Sequence, residues 1–136
     1  MYNVRFATSL HILTLLCNAG EELLSSEYIA GSVNVNPAIV RKEISNLREH
    51  GLVISKEGKG GGTTLARSAK SIKLSDIYYA VTQHQPILGR VNTPNPACAI
   101  GKDINKHLDS LYDDVETALI EKLSKTTLKN FTKQFK

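Results

Sequence analysis

The sequence predicts a mainly α-helical protein with one small β-hairpin: a winged helix-turn-helix followed by a long C-terminal dimerisation helix. Three observations predict it. Residues 25–53, SSEYIAGSVNVNPAIVRKEISNLREHGLV, read as two helices joined by a short turn. A basic, glycine-rich hairpin, EGKGGGTTLAR, follows at once. Further on, Ile104, Leu108, Leu111, Val115, Leu119 and Leu123 recur at spacings of four and three, the apolar seam of one long helix.

The first helix is expected over residues 4–19. Phe6, Leu10, Leu13 and Cys17 form one stripe, widened by Ala7, Ile12, Leu15 and Leu16. That arc is broader than a surface helix requires, so it is expected to pack on two sides, the winged-helix core and another subunit. Cys17 on the stripe reads as a small buried hydrophobe, and His11 as a core or interface histidine. Ala19-Gly20 ends the helix. The start, MYNVRF, lacks the pattern of a secretory signal. The longest apolar run, residues 10–17, is interrupted by His11 and Thr14 and is far shorter than the roughly 20 residues a bilayer needs.

Ser25 or Ser26 caps a short second helix with Ile29 and Ala30 inward, and residues 31–35 form a tight connection. Asn36-Pro37 then supplies an N-cap and a proline at the first helical position, where its missing N–H costs nothing. Val40, Ile44 and Leu47 make the apolar stripe of the third helix, with Ile39 beside it. Arg41, Lys42, Ser45, Asn46 and Arg48 are expected on its other faces. His50-Gly51 stops it. A helix pair whose second member is narrow and basic outside suits a DNA major groove; an ordinary helical hairpin with solvated charges gives the same pattern. The next segment separates the two. Strands are expected over 52–57 and 63–67, joined by the glycines of 58–62. This loop lacks the GxxxxGK[ST] order, which excludes a nucleotide-binding P-loop. A helix-turn-helix with a basic hairpin is a winged helix, its wing reaching phosphates or the minor groove.

Residues 68–73 read as a linker and 74–82 as a helix started by Ser75-Asp76, with Ile77, Ala80 and Val81 inward. Pro86, Gly89, Asn92, Pro94, Asn95 and Pro96 make 83–101 irregular, a loop of the length that is usually functional or mobile, and it holds Cys98. The long helix is expected from 102 to 124, on the order of 30 Å. The preceding domain can cover only part of its seam. A second copy is expected on Ile104, Leu108, Leu111, Val115 and Leu119; the alternative is a seam folded back on its own domain. Residues 126–135 read as a last basic helix with Leu128, Phe131 and Phe135 inward. The expected organisation is a DNA-binding unit over 1–82, a sensory loop over 83–101, and the dimerisation and C-terminal helices over 102–136.

At 136 residues the chain is one domain's worth. Its net charge of +4 is mild, but its distribution is not: residues 41–73 hold eight basic and three acidic side chains, residues 103–121 one basic and six acidic. The basic half coincides with the expected reading head, the electrostatic footprint of DNA binding. No HExxH, CxxC, paired carboxylates or nucleophile with a base stands out, so neither an enzyme nor a metal site is expected. Two distant cysteines make no disulfide framework, and the expected location is a reducing cytoplasm, with no membrane partner.

LREHGLV, the EGKGGGTTLAR wing, the SIKLSDIYYAV helix and PACAIGKDI, in that order, resemble the bacterial winged-helix regulators typified by IscR and NsrR, which sense iron–sulfur status and nitric oxide. The resemblance covers nearly the whole chain and implies a homodimeric transcription regulator, a repressor, with double-stranded DNA as partner. Cluster-binding members hold iron–sulfur with three loop cysteines. Cys98 matches the last; the other two positions fall near Pro86 and Asn92, and no cysteine stands between Cys17 and Cys98. One thiolate cannot replace three, so no cofactor is expected. Cys98 precedes a helix N-terminus, which favours the thiolate. Its oxidation would then move the loop and reading heads; the alternatives are a cysteine that plugs the junction of loop and helix, or one that lines a small-ligand pocket beneath the loop. Candidate effectors are therefore an oxidant or a small molecule.

Where the family commonly places a minor-groove arginine before the first wing glycine, this chain has Glu57, which leaves Lys59 as substitute; Arg41 stands near the iron–sulfur regulator's acidic reader. Ala38, Arg41, Lys42 and Ser45 are expected to face base edges. Asn36, Arg48, Lys56 and Lys59 are expected to hold phosphates. A winged helix that docks protein and has lost specific DNA binding is the alternative, and the basic concentration at 41–73 argues against it.

Overall fold

The computed structural model describes residues 4–83, 85 and 87–135; Pro86, one of the expected breakers, lies outside them. In chain order the elements are α1 (Arg5–Ala19), α2 (Ser26–Val33), α3 (Pro37–Glu49), β1 (Val53–Lys56), β2 (Gly62–Leu65), a 3₁₀ turn (Ala69–Ser71), α4 (Leu74–Thr82), α5 (Ala99–Ser124) and α6 (Leu128–Thr132). The class is the expected one, mainly helical with an antiparallel hairpin. Its core joins Ile12, Leu13 and Leu16 of α1 to Ile29, Val40, Leu47, Ile72, Ile77 and Leu128. Cys17 packs against the edge of this core, half-buried rather than inside it.

The turn between α2 and α3 differs from the expected 31–35. The Ser25 hydroxyl accepts from the Tyr28 N–H at 3.1 Å and starts α2, which continues through Gly31 to Val33. Asn34, at φ 64°, ends it in the left-handed conformation that asparagine tolerates. Gly31 is exposed with nothing against it; at such a site a helical glycine costs only about 1 kcal/mol. Asn36 Oδ1 accepts from the Ala38 N–H at 2.8 Å, and Pro37 opens α3 as expected.

The strands differ from the expected 52–57 and 63–67: β1 loses a residue at each end, and β2 starts one residue earlier, at Gly62, and stops at Leu65, with Val53 opposite Leu65 and Lys56 opposite Gly62. Leu24 joins it as a single-residue third strand, exchanging backbone hydrogen bonds with Thr63 at 3.0 and 2.9 Å. Glycine is required at that junction. A Cβ on Gly62 would lie 2.7 Å from the Leu24 carbonyl oxygen, and one on Gly61 would run into the Lys56 carbonyl.

The start of α4 rests on Asp76, which accepts from the Lys73 N–H at 2.9 Å and pairs with Arg67 at 3.0 Å; Ser75 is buried. The long helix begins at Ala99, three residues before the expected 102, with Cys98 as its N-cap. Gly101 lets the loop pass close: a Cβ there would sit 2.5 Å from the Asn95 carbonyl oxygen. The loop runs along α5, held by Arg90–Asp109 (3.1 Å), Asn105 to the Val91 carbonyl (2.8 Å) and Tyr112 to the Gly89 carbonyl (2.9 Å). Tyr78 of α4 donates to Glu116 of α5 at 2.9 Å. The last helix is shorter than 126–135. Leu128 is fully buried and Phe131 packs on the core, but Phe135 is 59% exposed, a correction to its inward assignment. It lies beyond the end of α6 and leans on Phe131 instead, ring centroids 5.6 Å apart. Among the described residues no helix is long and apolar enough to cross a membrane.

Candidate nucleic-acid interface

α3 has two polar sides, and only one faces out. Ala38, Arg41 and Lys42 are exposed and Ser45 half-buried. Asn46, expected outside, is buried: its Nδ2 donates to the Ala80 carbonyl at 2.9 Å, and its Oδ1 accepts from Gln83 at 3.1 Å. Glu43 is also buried, 3% exposed, and takes a forked pair from Arg5 at 2.9–3.1 Å. The guanidinium of Arg5 is pushed above its ordinary pKa, first by hydrogen bonding to Glu43. These bonds fix α3 from behind, to α1 and α4, so its outer face is presented on a rigid support. Sequence periodicity missed both residues, because a charge at helical spacing looks the same whether it faces water or a partner. Glu43 one turn behind Leu47 was the available signal.

Arg41, Arg48 and Lys56 line one open groove of about 350 Å³ between the start of α2, α3 and the wing. Arg48 donates to Ser55 at 3.0 Å, and Ser55 shares a hydrogen bond with Thr63 at 3.1 Å, so the last turn of α3 is tied to both wing strands. Ser55 and Thr63 are cross-strand partners, a pair legible once the hairpin register is written out. Ser25, Ser26 and two carboxylates, Glu27 and Glu57, border the same groove. Asn36, Ala38, Lys42, Ser45 and Lys59 lie outside it. Lys59 is exposed at the wing tip, between Gly58 and Gly60 at φ 89° and 78°. Asn36 spends its side-chain oxygen on the cap, which leaves its amide N–H groups for a phosphate.

Cys98 is exposed, not a plug in the junction. Backbone N–H groups of Gly101, then Ile100, hold its thiol below the ordinary cysteine range. An iron–sulfur cluster takes four protein ligands, mostly thiolates. Cys98 and Cys17 are the chain's whole supply, and among the described residues no three His, Cys, Asp or Glu side chains come together. The donor set does not fit a cluster. Along α5, Ile104, Leu111 and Val115 are 39%, 55% and 41% exposed, and Leu108 and Leu119 are half-buried. Leu123, at the end of the seam, packs on the core.

The model of the Rrf2 family, described as iron-dependent transcriptional regulators, matches residues 2–134. YwnA of Bacillus subtilis (strain 168), whose name marks it as an HTH-type transcriptional regulator, is 36% identical over 130 residues, 96% of each chain. The structure of CymR, the global cysteine regulator of B. subtilis, matches with a TM-score of 0.75 at 24% identity, over 100% of this chain and 98% of CymR. IscR of T. potens matches with a TM-score of 0.72, also at 24% identity, over 98% and 87% of the two chains. At that identity these two structures speak for the fold alone.

Proposed function

The chain belongs to the Rrf2 family of transcriptional regulators, and from that premise we propose that it acts in the cytoplasm as a homodimeric repressor that reads DNA with α3 and its wing. It is a DNA-binding transcription regulator, not an enzyme; the family and its named relatives do not favour the protein-docking alternative. The observation that carries the assignment of the reading head is the rigidly backed outer face of α3, with Arg41 beside a wing clamped by Arg48 and Ser55. Ala38, Arg41, Lys42 and Ser45 face base edges, where arginine suits guanine bidentately. Asn36, Arg48, Lys56 and Lys59 hold phosphates and set the register.

In the same reading residues 1–82 are the DNA-binding unit, and the exposed seam of α5 pairs with a second copy. The dimer brings two reading heads to a near-palindromic site, with half-sites about one helical turn apart or a multiple of it. The loop carrying Cys98 responds to an oxidant or a small molecule without a cluster. Its bonds to Asn105, Asp109 and Tyr112 connect any movement there to the dimer helix. Selection of bound fragments from sheared genomic DNA, followed by footprinting, tests the assignment. It should return one recurrent two-fold motif; enrichment proportional to fragment abundance alone would contradict specific reading.

A further inference from the structure

A second basic site lies away from the reading head, where α6 meets the 3₁₀ turn. After Glu121 the chain has no carboxylate side chain but five lysines, Lys122, Lys125, Lys129, Lys133 and Lys136; residues 60–75 likewise carry Arg67, Lys70 and Lys73 and no carboxylate. The fold presses these two acid-free segments together. Lys73 and Thr127 form an antiparallel bridge, the Leu128 N–H donates to the Ile72 carbonyl at 2.7 Å, and the Leu74 N–H donates to the Thr126 carbonyl at 3.0 Å. Leu128 is fully buried, so the register cannot slide, and α6 with Lys129 is packed against the 3₁₀ turn that carries Lys70.

The amine of Lys129 is held below lysine's ordinary range, first by the charge of Lys70, then by partial burial and by the charge of Lys133. Cys17 is the other titratable group acting on it. None of the three lysines forms an ion pair among the described residues. Like charges repel, and long flexible side chains on an open surface would spread apart. Here the backbone brings their stems together and provides no carboxylate between them. An oxyanion fits the requirement: several acceptor oxygens and enough negative charge to relieve three ammonium groups at once.

We propose that Lys70, Lys129 and Lys133 form a binding site for a phosphate group at the junction of the 3₁₀ turn and α6. The phosphate comes either from the DNA backbone flanking the operator, which rests on the reading above, or from a free phosphate-bearing ion. Two arms separate these sources. In the first, the salt dependence of operator binding is measured for wild type, Lys129→Gln, Lys70→Gln and a Lys106→Gln control on α5. A DNA source lowers the slope of log affinity against log salt by about one for each site lysine neutralised and leaves the control unchanged.

In the second arm, inorganic phosphate is titrated into the DNA-free chain against chloride at equal ionic strength, and the side-chain resonances and pKa of Lys129 are followed by NMR. A free anion gives a saturable shift that raises the pKa of Lys129 and disappears in Lys70→Gln. Either positive arm supports the site and names its source. Unchanged slopes together with a phosphate response no larger than that to chloride would overturn it. The phosphate arm needs no operator, so failure of the DNA-reading assignment leaves it able to judge the site.

Discussion

Two residues show how far a side chain's role depends on what surrounds it. Glu43 sits on α3 among basic neighbours, yet it is a buried acceptor for Arg5. Breaking a buried pair by truncation costs about 3–5 kcal/mol; the Arg5 side chain is 37% exposed and partly screened, so Glu43→Ala should cost nearer 2 kcal/mol. Urea unfolding of the variant measures this, and an unchanged midpoint would remove the pair from the support of α3. Cys98 is the opposite case, an exposed thiol whose pKa is lowered by backbone N–H groups. Diamide or peroxide should modify it before half-buried Cys17 and lower operator affinity, and reductant should reverse the change short of sulfinic acid. Cys98→Ser should bind DNA and ignore the oxidant. Superimposable oxidant titrations of the two proteins would leave the signal to a small molecule.

At the scale of elements, the sequence made the helices legible where caps and apolar periodicity agree. Ser25, Asn36-Pro37 and His50-Gly51 mark real ends. It misled where a boundary is set by tertiary contact. The connection between α2 and α3 follows Asn34 rather than Gly31, since asparagine takes the left-handed angle and the exposed glycine stays helical. The long helix starts early because Asn95 folds onto Gly101. The junction of α4 and α5 rests on Tyr78, a buried phenol raised from 10.0 to about 12 by burial and by its bond to Glu116. The folded chain therefore holds this proton more tightly than the unfolded one. Its contribution is whole below about pH 10 and fades as pH climbs through about 12. Stability should fall across that window by on the order of 2 kcal/mol more in wild type than in Tyr78→Phe. Parallel curves from pH-dependent denaturation would contradict it.

The whole molecule pairs a basic stretch around α3 and the wing with an acidic helix whose apolar seam is partly exposed. Ile104, Leu111 and Val115 are exposed along α5; in the proposed dimer a second copy covers them, so Leu111→Asp, which places a charge in that interface, should cost several kcal/mol of association. Sedimentation should show a wild-type dimer and a dissociated variant; a wild-type monomer at micromolar concentration would rule the pairing out. The half-site geometry follows from that symmetry, whereas the operator's sequence lies in DNA contacts that no residue pattern in this chain spells out. The most direct test of the reading head is fluorescence anisotropy on a selected operator and a scrambled duplex of equal length, over a salt series, with wild type, Arg41→Ala and Lys59→Ala. Wild type should prefer the operator by at least about a thousandfold. Arg41→Ala should lose about 1–3 kcal/mol on the operator and little on the scrambled duplex, while Lys59→Ala should weaken both and lower the salt slope by about one. Equal wild-type affinity for the two duplexes, or an operator affinity untouched by both substitutions, would contradict the assignment of α3 and the wing as the surface that reads DNA.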